Sequence, residues 1–182
     1  MNSFLATMAA TVGTLALASP SAAQEISPNA PKFVKSVKAP GLEVRFLDFR
    51  WDEEAFRALE QGGSHPAAQR SWVLARLMLQ TDPLKWNGKL VPVGPALLVL
   101  NPKKGNEPAT MEIRYIDMRE VFVDMNVIAE PPAGETYAKA PVTFAKVDTT
   151  LPRLDVTLKD NGQSYDLGVQ YGNRKTVVTL TR

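Results

Sequence analysis

The chain has 182 residues, of which 45% are hydrophobic and 22% are charged, and its formal net charge is +2. This composition is that of an ordinary globular protein with one core, and the charge is too close to neutral to indicate binding to nucleic acid or to an anionic membrane. The chain has no cysteine, which excludes disulfides, thiol nucleophiles, thiolate metal sites and lipid attachment at cysteine. We expect no cofactor.

The first 23 residues predict a signal peptide. Met1 to Ala23 contain no charged side chain, and an apolar stretch rich in Ala and Thr leads to small residues at Ser21 and Ala23. This layout predicts cleavage before Gln24. Because no Lys or Arg precedes the apolar stretch, a different start codon or an N-terminal core helix are the alternatives. The prediction is a periplasmic or secreted protein that is not integral to a membrane after cleavage.

Residues 24–42 are predicted to form an extended tether, since four Pro and Gly residues interrupt them. Residues 43–182 are predicted to form the folded domain. Its first strand is expected at Glu43–Arg50, and a short helix at Glu53–Gln61. Asp52 suits the N-cap of that helix, and Gly62 its end.

The middle of the chain predicts buried strands. Local propensity favours a helix at residues 67–80, but Trp72–Leu79 is apolar almost throughout, so we favour a strand buried on both faces. Asn87 and Gly88 predict a tight hairpin turn, because both central positions of a type I′ turn need a positive φ. The apolar run Lys89–Asn101 is interpreted as the strand that enters the core, and we expect every side chain from Leu97 to Leu100 to be buried.

The remaining strands are predicted from alternating hydrophobicity. In Thr110–Ile116, Met111, Ile113 and Tyr115 are expected to face the core, with Glu112 and Arg114 facing solvent. Further strands are expected at Val121–Val127, Val142–Val147, Leu151–Lys159, Tyr165–Tyr171 and Thr176–Thr181, the last three as a meander. The predicted fold is all-β: one antiparallel β-sandwich or jelly-roll-like domain with one short N-terminal helix.

The run from Asn87 to Gly94, followed by the apolar run from Leu97 to Leu100, resembles the centre of a family of bacterial secreted domains of unknown function. That family carries an Asn-Gly-Lys … Leu-Pro-Ala-Gly-x-Tyr element before a buried strand. Here Ala96 stands where the family tends to have Tyr. The resemblance implies a compact β-sandwich in a bacterial envelope, and it implies no catalytic residues.

His65 is the single histidine of the chain and a weak catalytic candidate. It could act as a general base with Ser64 or Ser71 as nucleophile. A histidine before proline in a Gly-Ser loop is more often a solvated loop residue, so a solvated role is favoured.

Glu120, Asp124 and Asn126 are weak candidates for calcium ligands, together with Asp117. On a strand, the first three would share the outward face, and Arg119 could pair with them. A solvated charged face is therefore favoured, and no metal site is predicted.

Trp86 is the best candidate for a binding residue, because it adjoins the predicted hairpin turn and could stack on a sugar or a peptide. Aromatic residues beside turns more often cap the core. Taken together, the residues predict an exported, non-catalytic binding or structural module of the cell envelope, with a protein or a carbohydrate as ligand. A small hydrolase that uses His65 and a lipocalin-like carrier of an apolar ligand are the alternatives.

Overall fold

The structure is a computed structural model that describes residues 33–47, 49–116 and 135–182. The described residues form two helices and twelve strands, which build two antiparallel sheets packed face to face. The helices are α1 (Glu53–Gln61) and α2 (Pro66–Gln69). The strands are β1 (Phe33–Ala39), β2 (Leu42–Leu47), β3 (Trp72–Leu79), β4 (Leu84–Trp86), β5 (Lys89–Val91), β6 (Gly94–Asn101), β7 (Thr110–Tyr115), β8 (Thr136–Pro141), β9 (Ala145–Lys146), β10 (Asp155–Asp160), β11 (Ser164–Tyr171) and β12 (Arg174–Thr181).

The first sheet has the order β1-β2-β3-β6-β7-β8, and the second sheet has the order β10-β11-β12-β4-β5, with β9 paired to β12. Strand β1 lies beside β10, and β5 lies beside β8, so the two sheets approach each other along both edges. The predicted all-β sandwich is confirmed, and β10, β11 and β12 form the expected meander. Neither helix in the described part of the chain has the length and hydropathy that a membrane span requires.

Local signals explain α1, whereas burial explains β3. The Asp52 carboxylate accepts a hydrogen bond from the Ala55 backbone N–H at 2.9 Å, and Gly62 ends α1 with φ +79°, as predicted. Strand β3 confirms that burial overrides helix propensity at residues 72–79, because β3 pairs with β2 on one side and β6 on the other. The second helix, α2, was not predicted.

The hairpin turn is also confirmed. Asn87 and Gly88 both have positive φ, +48° and +73°, and the turn joins β4 to β5. The apolar run after it is not one strand, however. Strand β5 belongs to the second sheet and β6 to the first. The run changes sheet at Pro92 and Val93, since proline cannot donate a ladder hydrogen bond and interrupts the pairing.

Three other predictions are corrected at the ends of strands. Part of the predicted tether forms β1, which pairs with β2 from Phe33↔Leu47 to Ala39↔Leu42. The strand expected at Val142–Val147 is reduced to the two residues of β9, while β8 lies just before it. Residues 151–154 precede β10 rather than belonging to it. The predicted strand Val121–Val127 and the predicted signal peptide lie outside the described residues.

One core fills the space between the sheets. It takes side chains such as Leu77, Leu98 and Ile113 from the first sheet, and Leu167 and Leu180 from the second. Tyr165 is buried in this core, and its hydroxyl donates a hydrogen bond to the Pro40 carbonyl oxygen. That bond ties the second sheet to the β1–β2 turn.

The outer face of the first sheet is also buried at its centre. Leu97 and Val99 are fully buried there and pack with Leu47, Val73 and Ile116, which confirms that the run from Leu97 to Leu100 is buried on both sides.

Two predictions for β7 are wrong. Glu112 was expected to face solvent but is 3% exposed, because the outer face it lies on is itself buried. Tyr115 was expected to face the core but is 40% exposed, since it ends its strand.

Candidate functional site

His65 serves as the N-cap of α2. Its Nδ1 accepts a hydrogen bond from the Ala67 backbone N–H at 3.1 Å, which satisfies one of the free N–H groups at the start of the helix. Ser71 donates instead to the Asn101 side chain at 2.5 Å, and Ser64 is exposed. The hydrogen bonds of His65 and Ser71 among the described residues therefore do not join them as a base and a nucleophile.

Trp86 lies in the core between the sheets and is 9% exposed. Its ring packs inward from β4, while the hairpin turn next to it is exposed. This burial leaves little of the indole for stacking on a ligand.

The metal candidates Glu120, Asp124 and Asn126 lie outside the described residues, as does Asp117. Within residues 33–47, 49–116 and 135–182, no three His, Cys, Asp or Glu side chains gather in a way that could hold a metal ion. The described residues therefore do not test the hypothesis of a calcium site.

Aromatic rings gather where α1 closes one end of the sandwich. Trp51 and Tyr171 lie 4.8 Å apart between ring centroids, and Phe56 and Phe144 lie 5.0 Å apart. Burial raises the pKa of Tyr171 to about 12. Gly172 makes room for the cluster, because a Cβ there would lie 2.1 Å from the Trp51 ring.

These rings enclose a cavity of about 10 Å³. Apolar side chains line it: Phe49, Phe56, Trp72, Leu74, Leu100, Phe144, Leu154, Val169 and Tyr171. A cavity of this size has room for about one water molecule, which is too little for a small-molecule ligand. The cluster is therefore packed core in this structure.

A group of charged side chains on the outer face of the first sheet was not predicted from the sequence. Arg45 of β2 lies directly opposite Arg76 of β3 in the antiparallel register. Glu43 lies on the same face as Arg45, and Lys38 of β1 lies opposite Glu43. We call these four residues, Lys38, Glu43, Arg45 and Arg76, the arginine site.

Glu43 is the acidic member of the arginine site. The Arg45 Nε donates to its Oε1 at 2.6 Å, and the Lys38 Nζ lies 3.5 Å from its Oε2. The hydrogen bond from Arg45 lowers the pKa of Glu43 below its usual value, and the charges of Arg45 and Lys38 act in the same direction. At neutral pH, the site therefore holds three cations and one carboxylate.

Arg76 carries the excess charge in a partly buried position. Among the described residues, its buried Nε has no hydrogen-bond partner, and the ion pairs do not include Arg76. Burial lowers the pKa of Arg76, and the neighbouring charge of Arg45 lowers it further. Desolvation and repulsion from Arg45 therefore both disfavour the charged form of Arg76.

The next carboxylate along the face is balanced differently. Glu112 of β7 forms an ion pair with Arg114, two residues along the same strand. Leu97 lies between the two groups, opposite Arg76 on one side and Arg114 on the other. A fully buried leucine therefore separates the arginine site from the Glu112–Arg114 pair.

The sequence held one signal for the arginine site. Arg45 and Arg76 each interrupt an apolar run, between Val44 and Phe46 and between Ala75 and Leu77. A charged residue between two apolar residues of a strand is predicted to point to the opposite face from them, away from the core. That the two residues lie opposite each other follows from strand register, which the sequence does not specify.

Comparison with known proteins adds no relative. No protein-family model, curated protein or solved structure matches the chain. The function proposed below is therefore inferred from the residues of the chain itself.

Proposed function

We propose that the protein is an exported, non-catalytic binding module of the cell envelope, and that it binds an anionic partner through the arginine site. The uncharged leader at residues 1–23 supports export. The excess of positive charge at Lys38, Arg45 and Arg76 over Glu43 supports an anionic partner. That charge excess is the observation that carries the proposal.

Access to the site supports the same function. The Lys38 side chain is 66% exposed and that of Arg45 is 42% exposed, so a partner can reach both. Arg76 lies deeper, beside fully buried Leu97. A partner that reaches Arg76 would be partly removed from water, and charged contacts strengthen as water is excluded.

The two alternatives have less support. A hydrolase that uses His65 would need a ring nitrogen that takes a proton from a nucleophile. Nδ1 accepts the capping hydrogen bond of α2, and in a neutral imidazole this leaves the proton on Nε2. A carrier of an apolar ligand would need a larger cavity than the one that the aromatic cluster forms in the described part of the chain.

Retention in the envelope tests the binding proposal. We expect the full chain, expressed with its leader, to be exported, and the mature protein to bind an isolated envelope fraction at low salt. Because screening weakens exposed charge interactions, salt should release it. The double variant Arg45→Gln, Arg76→Gln should be released at lower salt than wild type, while Arg57→Gln, which removes an exposed arginine of α1, should behave as wild type. Equal retention of all three proteins would refute the arginine site as the binding surface.

Turnover assays separate the module from the hydrolase. We expect the purified protein to hydrolyse no ester, peptide or glycoside faster than the His65→Ala variant does. Turnover that His65→Ala abolishes without lowering the melting temperature would establish the hydrolase instead.

A further inference from the structure

The register of β2 and β3 places two arginines side by side on the outer face of the first sheet. Arg45 and Arg76 are directly opposite each other, and residues in such positions have Cβ atoms about 4.5–5.5 Å apart on the same face of the sheet. Like charges at these positions destabilise a sheet. The charges of this pair therefore oppose the pairing of β2 with β3 rather than stabilise it.

Glu43, the acidic member of the arginine site, is already engaged. One oxygen of Glu43 accepts from Arg45, and the other pairs with Lys38. Its charge acts on Arg76 as the weakest of the influences on that group, behind burial and the charge of Arg45. Glu43 thus offsets one of the three cations, and the site has a surplus of two positive charges.

From this geometry we infer that the arginine site binds a phosphate group, held between the guanidinium groups of Arg45 and Arg76. The inference rests on the proposed function and names the chemistry of its anionic partner. A phosphate monoester carries about 1.5 to 2 negative charges at neutral pH, which matches the surplus. Its oxygens suit the planar N–H donors of arginine, which bind phosphate through paired hydrogen bonds.

Phosphate binding would offset both the desolvation of Arg76 and its repulsion from Arg45. The anion would lie between two groups that repel each other, and its oxygens would accept hydrogen bonds from Arg76 in a partly buried position. Hydrogen bonds to charged groups contribute about 1.5–3 kcal/mol each, which corresponds to roughly ten- to a hundredfold in affinity. Loss of Arg76 should therefore weaken binding by at least about tenfold.

Calorimetric titration of the mature protein tests the inference. Inorganic phosphate is titrated at low ionic strength, with sodium acetate at matched ionic strength as the control for general salt effects. We expect saturable binding of phosphate at one site, at least about tenfold weaker in Arg76→Gln. Arg57→Gln is the matched control, because the same change removes a 60% exposed arginine on α1, and it should bind as wild type.

Vesicles distinguish the source of the phosphate group. Sedimentation with phosphatidylcholine vesicles that contain phosphatidic acid, whose headgroup is a phosphate monoester, tests a lipid headgroup. Vesicles of phosphatidylcholine alone, which carry only phosphate diesters, are the control. Binding of inorganic phosphate identifies a small or free phosphate, whereas binding only to the anionic vesicles identifies a headgroup. Either result supports the inference if Arg76→Gln weakens it and Arg57→Gln does not. Binding to neither, or equal weakening by both variants, overturns the inference.

A second measurement uses wild type alone, so it does not depend on whether the variants fold. In wild type labelled with nitrogen-15, phosphate should shift the Nε–Hε signals of Arg45 and Arg76 and leave that of Arg57 in place. Unshifted signals for both would also overturn the inference. Retention in the envelope fraction that depends on the arginines, without any phosphate binding, would leave the proposed function standing. Retention that does not depend on them would refute both.

Discussion

The two sheets differ in what their outer faces hold. On the first sheet, Leu97 and Val99 are fully buried and Glu112 is 3% exposed. On the second sheet, Val177 is 54% exposed and Leu90 is 56% exposed. Antiparallel sheets commonly have one face against the core and one in water, and the second sheet follows that rule. The first sheet does not.

Because of this difference, charged side chains interact more strongly on the outer face of the first sheet than on that of the second. Charges on an exposed face interact weakly because water screens them. Beside a buried patch, the same charges are partly removed from water, and both attraction and repulsion grow. The opposed pair of Arg45 and Arg76 therefore has a larger energetic consequence on the first sheet than it would have on the second.

The largest expected effect comes from Leu97. Leu97→Ala should lower the free energy of unfolding by about 2–5 kcal/mol, because it leaves a cavity in a packed environment. Val177→Ala, on the outer face of the second sheet, should stay within about 0.5 kcal/mol of wild type. Urea denaturation of both variants measures the difference, and a Leu97→Ala midpoint no lower than that of Val177→Ala would abolish the contrast between the faces.

The next effect concerns Glu112. Glu112→Ala removes the carboxylate that pairs with Arg114 in a buried position, so we expect destabilisation of about 1–3 kcal/mol in urea denaturation. The exposed Glu53 of α1 provides the control, and Glu53→Ala should cost less than about 0.5 kcal/mol. If Glu112→Ala matched Glu53→Ala, Glu112 would behave as the solvent-facing residue that its alternating pattern predicted.

A smaller effect is expected at the turn between β4 and β5, two strands of the second sheet. Gly88 has φ +73°, and open space surrounds the position of a Cβ. Gly88→Val should therefore cost about 1–2 kcal/mol through backbone strain alone. Asn87→Gly should change the melting temperature little, since glycine accepts φ +48° without strain. A Gly88→Val melting temperature equal to that of wild type would show that the turn tolerates a branched side chain.

The smallest effect concerns Asp166, a carboxylate on the exposed outer face of the second sheet. Hydrogen bonds from Thr179 and Asn161 lower its pKa. Because its pKa is lower in the folded state than in the unfolded state, Asp166 contributes stability above the unfolded pKa and loses it as the pH falls through the folded value. Asp166→Asn should have a slightly lower melting temperature than wild type at pH 7, and this difference should disappear at acidic pH. A gap that stays constant from pH 7 to pH 2 would contradict the assignment.

Local rules explain which elements could be predicted. The N-cap at Asp52, the turn at Asn87 and Gly88, and the meander at the end of the chain all depend on neighbours within a few residues. Such signals are present in the sequence itself. The strand β3 was also predictable, because a run of eight residues that is apolar except for Arg76 points to burial on both faces even where helix propensity is high.

The errors have a common cause in contacts between distant residues. Glu112 alternates with core residues, and alternation normally predicts a solvated face. Its burial depends on the outer face of the first sheet, where Leu47, Val73 and Ile116 meet. Strand β1 was likewise assigned to a tether because its pairing partner, β2, determines that it is a strand.

The sequence by itself determined the fold class, the capped helix, the tight turns and the burial of the run from Leu97 to Leu100, because each depends on local propensity or on hydrophobic period. The tertiary structure decided that this run changes from the second sheet to the first at Pro92 and Val93. It also decided that Arg45 lies opposite Arg76. Strand order and register arise from the summed packing of residues far apart in the chain, and no single stretch of sequence contains that information.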